Sequence, residues 1–322
     1  MNRLALAAIW KKSYPEDSQA REAAVLADMM ASRFPGEEAK RPSVETLLHD
    51  LLPYKYVIHT HPALVNGLTC ARDGEKAVKE MFPQAFWIPL VDPGYVLSKT
   101  VKEALESEKN KDDNGRNKNQ IIIFLQNHGI FAAADSTEEI DDIYRGVMGK
   151  INNRIREKPD FQGVVSNFGD SELIGKKILG FLGKAYPDKQ WFIKFERSNR
   201  IITCVADEAS FIPVSSAFSP DHIVYSGSDP LFIDDIALLE EKFTAHANKT
   251  RIPKILAVKS LGIFSIGNSV KSAENAMELF RDTIKISVYT GNFGGPLFMN
   301  DRMIRFINNW EVESYRTKVA EN

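Results

Sequence analysis

Residues 254–286 can be laid on residues 121–153 without a gap, and the overlay sets strand on strand and helix on helix. Gly262-Ile263-Phe264 falls on Gly129-Ile130-Phe131, and Ser269 falls on Ser136. The apolar positions of the following helix coincide as well: Ala273, Ala276, Met277, Phe280 and Ile284 lie on Ile140, Ile143, Tyr144, Val147 and Ile151. A generic strand-to-helix unit needs an apolar face at helical spacing but not this much agreement. Generic αβ similarity is the competing account, because literal identities are few. The duplication predicts two related αβ lobes, and 322 residues, 43% of them apolar, suffice for both cores. The first lobe is expected over 1–155 and the second over 171–322, joined by 156–170 in a stretch that holds Pro159, Gly163 and Gly169.

The first lobe carries the more telling chemistry. Tyr56-Val57-Ile58-His59-Thr60-His61-Pro62 opens with aromatic and β-branched residues that favour a strand. Residues two apart on a strand share a face, so His59 and His61 project together. Pro62 has no N–H for a sheet ladder and places both imidazoles at the strand end. They make half of a metal site, which needs a further nitrogen, oxygen or sulfur ligand. The apolar run Ile121–Leu125, expected to be a buried strand, leads into Gln126-Asn127-His128-Gly129 and puts a third histidine at a strand end. With six histidines in the chain, this shared setting reads as a ligand; His222 and His246 lack it.

Upstream, Ser43 is a suitable N-cap in Arg41-Pro42-Ser43-Val44-Glu45, with Glu45 in the first helical turn and on one face with His49. From that stretch alone, Glu45 could merely complement the helix dipole. Helices are expected over 17–33, 63–82 and 96–105, from Ser136, and over 304–319, with a short strand at Phe86-Trp87-Ile88. Lys109–Asn119 reads as a solvated loop. In the second lobe Leu261 takes the place of His128, and Ile223-Val224-Tyr225-Ser226-Gly227 is expected where His59 and His61 stand. That copy could not bind the same metal. Gly291-Asn292-Phe293-Gly294-Gly295 lacks the spacing and context of a phosphate cradle.

A formal charge of −2 gives no field that would gather nucleic acid or an anionic membrane. Cys70 and Cys204 are isolated, lack CxxC spacing and are expected to be buried structural thiols in a reducing compartment. The apolar run Leu4–Trp10 only superficially resembles a signal peptide: no small-residue cleavage site follows, and Lys11-Lys12 closes it. No segment reaches the ~18 apolar residues of a membrane span, so a cytoplasmic protein is expected.

Taken together, Ser43-x-Glu45, His59-x-His61-Pro62 and Asn127-His128-Gly129 resemble the signature of the class II aldolase/adducin family, most closely through residues 40–150. The likeness is greatest to bacterial rhamnulose- and fuculose-phosphate aldolases. The second half, including Ser219-Pro220-Asp221-His222-Ile223-Val224-Tyr225, resembles the middle of long bifunctional rhamnulose-phosphate aldolase/dehydrogenase chains. The resemblance implies an α/β/α sandwich around a mostly antiparallel sheet, followed by a related second αβ lobe. It implies a zinc ion on His59, His61 and His128, with Glu45 as neighbouring ligand and acid/base. It implies retro-aldol cleavage of a ketose 1-phosphate to dihydroxyacetone phosphate and an aldehyde, in a homo-oligomer. The same metal chemistry serves epimerases and decarboxylases of the family, and its adducin-like branch is non-catalytic. Two departures bear on the substrate. The family's N-terminal Asn/Thr/Gly-rich phosphate turn is expected to be absent, leaving Ser43 as the matched phosphate contact. Tyr95, in Asp92-Pro93-Gly94-Tyr95, does not align with the family's tyrosine proton donor and is expected to pack rather than react.

Overall fold

The computed structural model describes residues 1–109, 120–164 and 168–310. By contacts the chain divides into two compact units, residues 1–60 with 78–147 and residues 61–77 with 148–322. Its first half runs α1 (Arg3–Ile9), α2 (Ser18–Ala31), α3 (Thr46–Leu51), β1 (Tyr56–Thr60), α4 (Ala63–Thr69), α5 (Gly74–Met81), β2 (Phe86–Ile88), α6 (Tyr95–Lys109), β3 (Gln120–Leu125), β4 (Gly129–Ala134) and α7 (Thr137–Asn152). The remainder runs α8 (Phe168–Ala185), β5 (Phe192–Glu196), α9 (Asn199–Cys204), α10 (Glu208–Phe211), β6 (Leu231–Ile233), α11 (Leu239–Lys249), β7 (Ile255–Val258), β8 (Gly262–Gly267), α12 (Val270–Thr290) and α13 (Asp301–Asn309).

In the first unit the sheet order is β1-β4-β3-β2, antiparallel except for the β2/β3 pair. Alternate residues Ile123, Leu125, Phe131 and Ala133 turn to one face, where Leu48 and Leu52 of the α3 segment and Leu97 and Val101 of α6 cover them. On the other face Phe124 meets Phe82 with ring centroids 5.1 Å apart, and the Thr60 hydroxyl bonds Tyr144 of α7 at 2.7 Å. This is the expected sandwich of helices about a mostly antiparallel sheet. The segment Leu4–Trp10 is a working part of the unit: Leu6 and Ile9 of α1 are buried with Val25 and Met29 of α2 and Leu47 of α3.

Several local expectations are corrected. The helix after Ser43 starts later than its residue type suggests, with Glu45 at the N-cap of α3. Ser43 instead opens the preceding turn, its Oγ accepting the Glu45 N–H at 3.2 Å. Residues 63–82 form two helices, α4 and α5, because the main chain between them binds elsewhere in the second unit. Arg72 N–H donates to Gly295 O at 3.1 Å, Asp73 N–H to Phe293 O at 3.0 Å, and Cys70 O accepts from Leu297 N–H at 2.8 Å. A helix cannot continue through groups already paired across the fold. The same bonds occupy the glycine loop at 291–295. Gly294 has φ +87°, and a Cβ there would lie 2.5 Å from the Asp73 carboxylate, so it serves close packing. The expected loop at 109–119 lies outside the described residues from 110 onward, as does the expected terminal helix beyond 310; α13 accounts for the part within them.

The second unit repeats the first sheet. Its order, β5-β8-β7-β6, and its single parallel pair, β6/β7, match β1-β4-β3-β2 strand for strand. Val258 pairs with Gly262 as Leu125 pairs with Gly129, and Ser260 and Asn127 take the left-handed turn position with φ 59° and 54°. Ser269 caps α12 as Ser136 caps α7, each Oγ accepting the N–H three residues on. The strand standing in for β1 is not Ile223–Gly227 but β5, in which Phe195 pairs with Phe264 as His59 pairs with Phe131. The edge beside β8 is thus already filled, and His222–Ser226 forms a π-helical turn despite its β-branched and aromatic residues. In the repeat Phe195, Arg197 and Leu261 replace His59, His61 and His128. Arg197 donates to the carbonyls of Ser260 and Leu261, so a guanidinium ties the turn where the first sheet presents imidazoles.

Both cysteines are buried. So is His222, whose Nδ1 lies 2.7 Å from Ser219 Oγ. Burial pushes this imidazole down to about 4, aided by His61 and opposed by Asp221 and Asp282. It folds neutral, whereas in the unfolded chain it takes a proton below its ordinary value of 6.5. Its contribution is therefore complete above pH 6.5 and is lost as the pH falls toward 4, at up to ~1.4 kcal/mol per pH unit and about 3 kcal/mol in all. Urea unfolding of metal-free protein between these pH values is expected to show a steeper loss in wild type than in His222→Asn. Parallel profiles would contradict this assignment.

Candidate metal centre

β1 delivers His59 to the face covered by α3 and α6, beside its neighbour Phe131 on β4. The imidazole lies flat on Phe131, with centroids 4.0 Å apart and planes at 12°. Its Nδ1–H donates to the Ile130 carbonyl at 2.9 Å, which fixes the tautomer and leaves the lone pair on Nε2. His128 follows Asn127 in the left-handed turn between β3 and β4 and is nearly buried, with Nε2 3.3 Å from His59 Nε2. Glu45, at the head of α3, places Oε1 3.1 Å from His59 Nε2 and 3.4 Å from His128 Nε2. His61 leaves the end of β1 one peptide bond beyond Thr60, and its Nδ1 lies 2.6 Å from Asp221 Oδ2.

One ligand atom from each of Glu45, His59, His61 and His128 lies within 4.8 Å of the others. Around a tetrahedral zinc with bonds of about 2.0–2.1 Å, donor atoms stand about 3.3 Å apart. The separations of 3.1, 3.3 and 3.4 Å among Glu45, His59 and His128 fit that spacing. His59 Nε2 and the Glu45 carboxylate are both acceptors, and a cation or proton between them relieves their repulsion. Three imidazoles and a carboxylate suit a borderline divalent ion. Burial alone would raise the Glu45 pKa, but a proton held between its carboxylate and the His128 and His59 nitrogens, with the positive charge it brings, keeps its carboxyl well below the usual range. His49, behind the site, stands edge-on to Phe131 at 5.2 Å, and burial lowers its pKa.

Residues 10–141 match the family described as Class II Aldolase and Adducin N-terminal domain. They form a class II aldolase/adducin domain. Glu45, His59, His61 and His128, the four residues that could hold a metal ion, all fall inside that stretch. The chain is also 24% identical over 316 residues to the Uncharacterized oxidoreductase YuxG of Bacillus subtilis (strain 168), an alignment that covers 87% of this chain and 45% of that protein. It thus spans less than half of that relative's length. Among solved structures, the N-terminal class II aldolase domain of a conserved protein from Thermoplasma acidophilum is 27% identical, covering 47% of this chain and 63% of that one at a TM-score of 0.37. An aldolase II superfamily protein from Pseudomonas syringae is 17% identical, covering 46% and 60% at a TM-score of 0.31.

Two sequence-selected residues stand apart from the cluster of Glu45, His59, His61 and His128. Ser43 is exposed in the turn before α3. Tyr95 is taken up by packing: it stacks on Trp10 at 5.8 Å, meets Tyr14 edge-on at 5.0 Å and gives its N–H to Glu22. Sequence reasoning missed Phe131 as the plate behind His59 and Asp221 as the partner of His61. The pairing of β1 with β4 would have exposed the first; the second depends on a contact 160 residues away in the chain. No helix among the described residues is long and apolar enough to cross a membrane.

Proposed function

We propose that the aldolase domain is a zinc-dependent lyase that cleaves a ketose 1-phosphate to dihydroxyacetone phosphate and an aldehyde. The observation that carries this reading is the convergence of Glu45, His59, His61 and His128 on one point. His59, His61 and His128 hold the ion, with Glu45 beside it. When bound, zinc supplies Lewis acidity to the substrate's carbonyl and adjacent hydroxyl oxygens, where negative charge builds as the C3–C4 bond breaks. In cleavage the C4 hydroxyl passes its proton to solvent as it becomes the aldehyde, solvent in turn protonates Glu45, and the C3–C4 electron pair remains on the three-carbon fragment as an enediolate. Glu45 moves the proton at C3: its carboxylate removes one from dihydroxyacetone phosphate in the addition direction, and its acid form returns one after cleavage. The depressed pKa of Glu45 supports the carboxylate as resting form. Ser43, exposed at the turn before α3, contacts the substrate phosphate.

Metal analysis of wild type and His59→Ala, coupled to assays on rhamnulose 1-phosphate and fuculose 1-phosphate, tests the reading. About one zinc per chain and metal-dependent release of dihydroxyacetone phosphate are expected of the wild type, with both lost in His59→Ala. Isomerisation of a pentulose phosphate without cleavage would instead identify an epimerase, and carbon dioxide release from a keto or hydroxy acid a decarboxylase. A folded wild type that binds no divalent metal would overturn all three.

A further inference from the structure

His61 and His59 are oriented by different groups. Each has a named partner on Nδ1: the Ile130 carbonyl at 2.9 Å for His59, and the Asp221 carboxylate at 2.6 Å for His61. A carboxylate can only accept here, so His61 Nδ1 carries the proton and Nε2 keeps the lone pair. We propose that Asp221 is a positioning residue of the metal centre, fixing the tautomer and ring orientation of His61 through Nδ1. This rests on the reading of His61 as a ligand and adds a residue outside the stretch 10–141 that carries the aldolase domain.

The setting of Asp221 suits the role. It stands at the head of the π-helical turn His222–Ser226, a form often found at functional sites. The turn is tied on both sides: His222 Nδ1 contacts Ser219 Oγ at 2.7 Å, and Ser226 Oγ donates to His222 O at 2.9 Å. His222 and Ser219 are both buried, so the backbone carrying Asp221 is anchored from below. The Asp221 and His61 side chains are 18% and 24% exposed, sheltered enough for the bond to keep its geometry. Carboxylate–imidazole–metal relays of this kind raise ligand basicity, and losing the outer partner lowers metal affinity by about 10–100-fold. An ordinary surface His–Asp pair would have no such effect.

The test measures zinc affinity of the full chain by chelator competition, with the visible spectrum of the cobalt-substituted protein as a second readout. Asp221→Ala is expected to weaken zinc about 10–100-fold and to alter the cobalt bands, and isosteric Asp221→Asn to fall between it and wild type. In a His61→Ala background, Asp221→Ala should cost no further affinity, since the ligand it orients is gone. Melting without metal identifies any variant that fails to fold, and Asp221→Asn then decides. Wild-type affinity and unchanged cobalt bands in folded Asp221 variants would overturn the proposal while leaving the metal reading intact. Equal losses with and without His61 would overturn it too. A wild type that binds neither zinc nor cobalt overturns both readings.

Discussion

Glu45→Gln is expected to lower turnover by about 10²–10⁴-fold, the range set by a positioned general acid/base. The substitution keeps the shape of the side chain and its carbonyl oxygen but removes the group that carries the proton. The three imidazoles remain, so zinc stays bound, more weakly than in wild type but at the same stoichiometry. The diagnostic measurement is exchange of the C3 hydrogen of dihydroxyacetone phosphate with D₂O, which needs no aldehyde and isolates the proton step. Wild type should exchange it and Glu45→Gln should not. Undiminished exchange in a zinc-loaded variant would assign the proton to another group. Loss of zinc along with turnover would show that the fourth ligand, rather than the base, had been removed.

The candidate ligands could be picked out in the sequence because their placement depends on local rules. Alternation on a strand put His59 and His61 on one side, Pro62 ended the strand there, and Gly129 marked the turn that carries His128. The repeat was readable for the same reason: it preserves apolar spacing, and the structure matches it down to the left-handed Asn127 and Ser260. What could not be read is non-local. Ile223-Val224-Tyr225 has strand propensity, yet β5 already occupies the corresponding edge, and pairing outweighs propensity. The break between α4 and α5 follows from backbone bonds to residues 293–297, about 220 positions away in the chain, which no periodicity reports. Ser43 misled through residue type alone, since serine also opens turns.

The repeat supplies its own control for the second large effect. Phe131 and Phe264 occupy the same register position in the two sheets, and both are fully buried. Phe131→Ala and Phe264→Ala are each expected to cost about 3–5 kcal/mol in urea unfolding of metal-free protein, from lost transfer energy and the cavity left behind. Their effects on metal should part. Phe131 lies against His59 at 4.0 Å, and without it the imidazole can tilt about the Nδ1 bond to Ile130, so zinc affinity should fall by about 10-fold or more. Phe264 lies against Phe195 at 4.7 Å, where the repeat has no imidazole to orient, and zinc affinity should stay at the wild-type value. Equal losses of affinity would mean that stability alone governs the centre. A loss confined to Phe131→Ala would show that the first sheet keeps this aromatic position as support for the metal ligand, whereas its counterpart serves only the core.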